Sequence, residues 1–308
     1  MSAPGFAHEA LVYRDEPTYV DAAASFAREG LLAGAAVFAI LPPAGAKLLR
    51  ESLVDLADPA DVVVVDACEV GRNPARLIPA IRARVTEAGD RPVRGVVEST
   101  WPGRTEAERA EVVLHEALVN LAFEETTTLR LRCLFDGSVL PEDLLTAVAH
   151  THPVVTDGAR AVSKHFDHDY AHDRFDTDLP TPTDVTDVVH FCIDDLPELR
   201  DLVTVRAKQF GLPRDRALDL TLATNEIVTN SICHGGERGT LRLWTDTDTL
   251  ICEITDSGHI PNPLVGRLAP LPAIQGGRGI WLANQLCDLV TIRSHTPQGT
   301  ATRLHVRR

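Results

Sequence analysis

Apolar and polar positions in the first half of the chain follow two alternating patterns. HEALVY (8–13), AAVFAILP (35–42), VVVVDA (62–67), VRGVVES (93–99) and LRLRCLF (129–135) are short apolar runs bounded by polar or turn-forming residues. Such runs predict strands, and the near-continuous ones predict burial on both faces. Between them lie segments with helical spacing: 17–33, a stretch running to about Leu56, 74–88, 104–123 and 141–150. Pro17 stands near the start of the first, where its missing N–H costs nothing. Strands separated by helices of this length predict an α/β fold with a doubly wound, mostly parallel sheet.

Residues 151–186 break the pattern. They are polar, with prolines at 180 and 182, and predict a partly ordered linker. His165, His168 and His172 lie there with Asp169 and Asp173. On a helix they could line one face as a metal site, but a solvated charged linker explains them without a metal.

The second half has a different rhythm. VVHFCID (188–194) alternates like a strand, and LPELRDLVTVRAKQFG (196–211) is amphipathic and ends at a glycine. Pro213 opens a second helix that runs to about Cys233, with Leu218, Leu222 and Ile232 expected to face a sheet. GTLRLWTD (239–246) and TLICEITD (249–256) read as a hairpin, LVTIRS (289–294) and TATRLHVR (300–307) as two more strands, with a helix from Gly279 to Cys287 before them. This order predicts an α/β sandwich with a mixed or antiparallel sheet.

The 308 residues are enough for two domains, which the change of rhythm divides into 1–155, a linker 156–185, and 186–308. Acidic residues outnumber basic ones 44 to 30, so DNA, RNA and anionic membrane are poor direct partners. The six cysteines form no CxxC pair and lie mostly in apolar runs, as buried thiols of a reducing compartment do. No run reaches the ~18 apolar residues that span a bilayer, and the N-terminus has no leader pattern. A cytoplasmic protein is the expectation.

Candidate chemistry sits mostly in the second half. In the first, PPAGAKL (42–48) follows a strand but lacks the GxxxxGK[ST] spacing that wraps amides around phosphate. That half reads as a sensing or docking domain. In the second, NEIVTN (225–230) puts Glu226 and Asn230 on one helix face. Such a polar pair near a packed face asks for a partner, and a divalent cation carrying phosphates is one; taken alone, the pair reads as a solvent-facing one. TDSG (255–258) ends a strand with Asp256 as an acceptor and Gly258 allowing close approach. GGRGI (276–280) leads into a helix N-terminus, whose amides favour phosphate, and Gly299-Thr300 separates the last two strands.

These four pieces, in this order, resemble the ATP-binding fold shared by histidine kinases, gyrase-type topoisomerases and Hsp90-like chaperones, the GHKL or Bergerat family. NEIVTN resembles its N box, DSG the first glycine box, GGRGI the second and GTATRL the last. The resemblance covers 186–308. It implies ATP and Mg²⁺ as cofactors. It also implies Asn230 as the Mg²⁺ ligand, Glu226 as general base, Asp256 with Gly258 at adenine, Gly277, Arg278 and Gly279 at phosphate, and Thr300 near the adenine end. Where the family commonly has a second glycine after DxG, this chain has His259-Ile260. The compact E-x-x-x-N box, with no dimerisation hairpin carrying a phospho-accepting His, resembles the anti-sigma-factor serine/threonine kinase branch. That branch implies a sigma factor and an anti-anti-sigma protein as partners, phosphotransfer to Ser or Thr, and a homodimer.

The first half, from HEALVYRDEPTYVDAAASFAREGLLAGAAVFAILP through LHEALVNLAF to HPVV, is similar to the MEDS sensory domain, whose layout is RecA-like without the phosphate loop. That resemblance implies a small-molecule or protein signal. Glu116-Ala-Leu-Val-Asn120 copies the E-x-x-x-N spacing, but no DxG or glycine-rich loop follows it, and it reads as an ordinary helix of the sensory half. The expectation is therefore a transcriptional regulator of anti-sigma type. Two alternatives stand beside it: a nucleotide-dependent protein-binding module without phosphotransfer, and a sensor histidine kinase that would autophosphorylate a linker histidine.

Overall fold

A computed structural model describes residues 5–54, 61–270 and 278–308. The chain divides into two compact units, Met1–Tyr170 and Ala171–Arg308.

The first unit is built on a seven-stranded sheet. In chain order its strands are β1 (Ala7–Tyr13), β2 (Ala36–Leu41), β3 (Val62–Asp66), β4 (Val93–Val97), β5 (Leu129–Asp136), β6 (Val154–Asp157) and β7 (Ala159–Val162). Their order across the sheet is β3-β2-β4-β5-β1-β6-β7. All neighbours are parallel except the β6–β7 hairpin. This is the mostly parallel, RecA-like sheet expected. The hairpin lies at one sheet edge, and β7 falls in the stretch read as a partly ordered linker.

Its crossover helices are α1 (Glu16–Leu32), α2 (Pro43–Ser52), the short α3 (Ala67–Val70), α4 (Leu77–Ala88), α5 (Glu106–Phe123) and α6 (Glu142–Thr151). Local chemistry fixes their starts. The Asp15 carboxylate accepts from the Thr18 amide at the head of α1, with Pro17 in the first turn. Thr105 and Glu108 form a reciprocal capping box on α5. Small residues of α1 (Ala22, Ala23, Ala27) let the helix lie close to the sheet around Phe26, Val37 and Leu41. Gly45 lies inside α2, not in a phosphate-wrapping turn, and a Cβ there would strike the Tyr19 hydroxyl.

The second unit has a five-stranded antiparallel sheet. Its strands are β8 (Asp187–Phe191), β9 (Gly239–Asp246), β10 (Thr249–Asp256), β11 (Leu289–His295) and β12 (Gly299–Arg307), ordered β11-β12-β10-β9-β8. After a short α7 (Tyr170–Phe175), its helices are α8 (Leu196–Phe210), α9 (Arg214–His234) and α10 (Arg278–Leu286). Gly211, at φ +90°, ends α8, and Pro213 precedes α9. The central α9 packs on α8, α10, β10 and β12. The expected α/β sandwich is present, with a wholly antiparallel sheet.

One expectation is corrected. Leu218 and Leu222 do not face the sheet; they are 57% and 44% exposed. The buried stripe of α9 is Ala217, Leu220, Ala223, Thr224, Ile227, Val228, Ser231 and Ile232. No described helix is long and apolar enough to cross a membrane.

Candidate functional site

The site of interest lies in the second unit, where α9, the end of β10 and the start of β12 converge. The 3.6-residue period of α9 turns Ile227, Asn230, Ser231 and His234 toward one cleft of about 370 Å³. Asp256, Gly258, Ile260, Ile280, Thr300 and Thr302 contribute the rest of its character. The walls are largely apolar and the polar groups few and convergent, the usual make-up of a small-molecule site.

Asp256 is held from two sides. Its Oδ2 accepts from the Ser231 hydroxyl at 2.6 Å, and its Oδ1 from the Gly258 amide at 2.8 Å. A carboxylate has about four acceptor positions, so these bonds fix its direction and leave capacity for an amine. Behind it, the buried Thr300 hydroxyl donates to the Gly258 carbonyl at 2.8 Å and lies 2.7 Å from the Ser294 hydroxyl. Ser294 in turn accepts from the Ile260 amide at 2.8 Å. The first residues after β10 are thus tied to β11 and β12.

Glycines set the closeness of the walls. A Cβ on Gly258 would lie 2.8 Å from the Cα of Gly235, and one on Gly235 would lie 2.4 Å from the Asp256 carboxyl carbon. A Cβ on Gly279 would lie 2.9 Å from Asn230 Nδ2 and 3.1 Å from Glu226 Oε2. The N-terminal turn of α10 therefore rests directly on the polar pair of α9.

The structure brings Asn230, Asp256, Gly258 and Thr300 to one cleft, and sets Gly279 against Asn230 and Glu226. Glu226 stands one turn before Asn230, outside the cleft lining. Arg278 is exposed at the first position of α10. Gly277 lies outside the described residues. Sequence reasoning missed Ser231, Gly235 and Ser294, which position Asp256 and Thr300. Ser231 and Gly235 flank residues of the first box, but Ser294 is one strand residue among others, and only its cross-strand pairing with Thr300 reveals it.

These residues fit a magnesium nucleotide. The cleft offers an oriented carboxylate for an exocyclic amine, apolar walls from Ile227, Ile260 and Ile280 for a ring, and an amide on Asn230 whose oxygen suits a hard cation. The cradle at Gly279, which a methyl group would fill, is open toward that amide.

The fold and cleft define a two-unit α/β protein, a mostly parallel sheet followed by an α/β sandwich with a small-molecule cleft. Residues 7–153 match the family model described as MEDS, the methanogen/methylotroph DcmR sensory domain. Residues 192–306 match the model described as the histidine kinase-like ATPase domain. The chain is thus a MEDS domain followed by a histidine kinase-like ATPase domain of the GHKL type. One similar solved structure is described as the RsbU and RsbW domains of Rv1364c from Mycobacterium tuberculosis. It is 17% identical, with 40% of this chain and 32% of that chain covered, at a TM-score of 0.30. This chain therefore spans about a third of that relative's length, an overlap too partial to assign activity. No curated protein sequence gives a significant match.

Proposed function

We propose that the second domain binds ATP with Mg²⁺ in the α9–β10–β12 cleft and transfers the γ-phosphoryl group to a Ser or Thr of a partner protein in sigma-factor control, with the MEDS domain biasing that step. The observation that carries the reading is the clamped Asp256. Its carboxylate is held by Ser231 and Gly258 in an apolar-walled cleft that Asn230 also lines. Asp256 accepts from the adenine amine. Asn230 supplies an oxygen to the cation. Gly279 keeps the helix backbone close to Asn230, and Arg278 offers charge to phosphate. Bound ATP·Mg²⁺ supplies an activated phosphoryl group. Glu226 accepts the proton of the partner hydroxyl, a role typically worth about 10²–10⁴ in rate. The sigma factor and its antagonist are the expected partners, and a homodimer the expected form.

Calorimetric titration of the full chain with ATP and Mg²⁺, beside Asn230→Ala and Asp256→Ala, tests the site. Binding in the wild type and its loss in both folded variants is the expected result. An absence of binding in the wild type refutes the nucleotide reading. Glu226→Gln then tests transfer. It should keep ATP affinity while phosphorylation of a Ser/Thr partner falls about 10²–10⁴-fold. Unchanged transfer removes Glu226 as base. ATP binding with no phosphorylated partner leaves a protein-binding module, and an acid-labile phosphate on this chain indicates a histidine kinase.

A further inference from the structure

The first domain contains a second constellation that the nucleotide reading does not use. His8 on β1, Glu116 on α5, Cys133 on β5 and His152 after α6 converge in the core, all buried. One ligating atom from each lies within 4.8 Å of all the others, and no other such group occurs among the described residues. His165, His168 and His172, the metal candidates of the sequence, do not form one.

Three of the separations are those of neighbouring ligands in a coordination sphere. His8 Nε2 lies 3.3 Å from Cys133 Sγ and 3.3 Å from Glu116 Oε2, and His152 Nε2 lies 3.4 Å from the same carboxylate oxygen. A tetrahedron with metal–ligand bonds of about 2.0–2.3 Å places its corners about 3.3–3.7 Å apart.

The hydrogen bonds behind the ligands point the same way. Asn120 Nδ2 donates to the carbonyl of Thr151 at 2.8 Å and lies 3.3 Å from those of Glu116 and Ala117. Carbonyls only accept, so the amide orientation follows, and Asn120 Oδ1 faces His8 Nδ1 at 3.1 Å as an acceptor. His8 therefore carries a proton on Nδ1. His152 Nδ1 lies 3.1 Å from the Val148 carbonyl and 2.9 Å from the Thr151 hydroxyl; the hydroxyl donates to the Ala147 and Val148 carbonyls, and the Val148 carbonyl only accepts, so Nδ1 carries its proton toward it. In the neutral rings both Nε2 lone pairs then point into the centre, toward a carboxylate oxygen that also only accepts. Neither Glu116 Oε2 nor His152 Nε2 makes a hydrogen bond; their contact is at ion-pair distance without hydrogen-bond alignment. The other carboxylate oxygen is satisfied by the Ser99 hydroxyl at 2.5 Å. The Cys133 thiol can donate to His8 Nε2, but the Glu116 oxygen and the His152 lone pair still meet with no proton between them, and a cation held by all four groups resolves this. The outward Nδ1–H bonds are the supports that metal-binding histidines use.

We infer that His8, Glu116, Cys133 and His152 form a closed tetrahedral site for a zinc-class divalent ion. The donor set is two imidazoles, a thiolate and a carboxylate, borderline-soft and suited to Zn²⁺ or Co²⁺ rather than Mg²⁺ or Ca²⁺. A dipositive ion with one thiolate and one carboxylate is neutral overall, so the site carries no net charge. Four protein ligands leave no open position, so the ion is structural. It staples β1 and β5 to α5 and to the α6–β6 junction. Glu116 and Asn120, one helical turn apart, are a ligand and the positioning partner of another ligand. Their spacing matches that of Glu226 and Asn230, but the use is unrelated.

The test is cobalt loading of the tag-free full chain after chelator treatment, with elemental analysis of the protein as purified. A stoichiometric divalent ion in the purified chain, and a tetrahedral Co²⁺ spectrum with a thiolate charge-transfer band, are expected. Cys133→Ser should lose the band. Asn120→Ala keeps all four ligands and should bind Co²⁺ roughly 10–100-fold more weakly. A wild type that takes up no stoichiometric ion overturns the inference, and so does a band that survives Cys133→Ser. If Cys133→Ser does not fold, the wild-type spectrum and the Asn120→Ala affinity decide. An Asn120→Ala protein that binds as tightly as the wild type then counts against the site.

Discussion

Two glycines near the nucleotide cleft separate what holds the fold from what shapes the site. Gly299 starts β12 at φ +94°, and a Cβ there would lie 2.1 Å from the carbonyl oxygen of Asp256. That neighbour is backbone and cannot swing away, and the left-handed conformation alone costs a side-chain-bearing residue about 1–3 kcal/mol. Gly299→Ala should lower stability by about 2 kcal/mol or more and weaken ATP binding with it. Gly279 is the opposite case. It is helical, and the atoms a Cβ would meet are chiefly side-chain ends of Asn230 and Glu226. Alanine is favoured over glycine in a helix by about 1 kcal/mol. Gly279→Ala should leave urea stability unchanged or raised, while calorimetry shows weaker nucleotide binding because Asn230 has been displaced. Equal losses in both measurements would remove the distinction. At this scale the chemistry-bearing residues were legible, since Asn230, Asp256 and Thr300 sit in short patterns with glycines beside them. Their supports were not. Ser231 reaches Asp256 across 25 positions of sequence, and Ser294 meets Thr300 only through strand pairing.

At the scale of elements, α9 shows why a hydropathy pattern can misplace a face. Leu218 and Leu222 are the conspicuous apolar residues, yet the seam on the sheet is rotated toward Ala217, Leu220, Ala223, Thr224 and Ile227. Small residues and threonines let α8 and β10 come close, but they weigh little in any hydrophobic pattern. A pair of substitutions measures the rotation. Leu220 is 0% exposed, and Leu220→Ala should cost about 2–5 kcal/mol in urea unfolding. Leu222→Ala should stay within about 0.5 kcal/mol. Similar costs for the two would restore the original face. The β6–β7 hairpin escaped the sequence for a related reason. Its strands are four residues each, none fully buried, and turn at Asp157-Gly158, so no one-sided apolar alternation marks them. The longer strands of both sheets were legible because β2 is almost entirely buried and β10 largely so.

At the scale of the whole molecule, each unit buries a group whose titration answers acid with the opposite sign to the other's, Glu98 in the first and His305 in the second. In the first, Glu98 follows β4 and accepts from the Tyr13 and Tyr19 hydroxyls at 3.1 and 3.2 Å. Burial outweighs those bonds and pushes its carboxyl from 4.5 to about 7, with Asp136 adding to the rise. The folded state then holds a proton that the unfolded chain releases, so this contribution is full below pH 4.5 and is lost as pH rises through 7. In the second unit, burial pushes the His305 imidazole from 6.5 down to about 3, with Arg303 and Arg307 adding to the fall. Here the unfolded chain takes up a proton that the folded state refuses. Stability is full above pH 6.5 and drains as pH falls toward 3. Between pH 7 and 5 Glu98 should add about 2 kcal/mol to the first unit, at 1.36 kcal/mol per pK unit. It is opposed there by His152, whose imidazole burial pushes from 6.5 down to about 4, while His305 should cost the second unit about 2 kcal/mol unopposed. Calorimetric scans of the full chain should therefore show one transition that stays nearly level and one that falls as pH is lowered through this window. Glu98→Gln should make the level transition fall with acid, and His305→Gln should flatten the other. Each substitution thus identifies which unit a transition belongs to. If both transitions shift together, with either variant affecting both, the units do not unfold separately, and acid acts on the chain as one body.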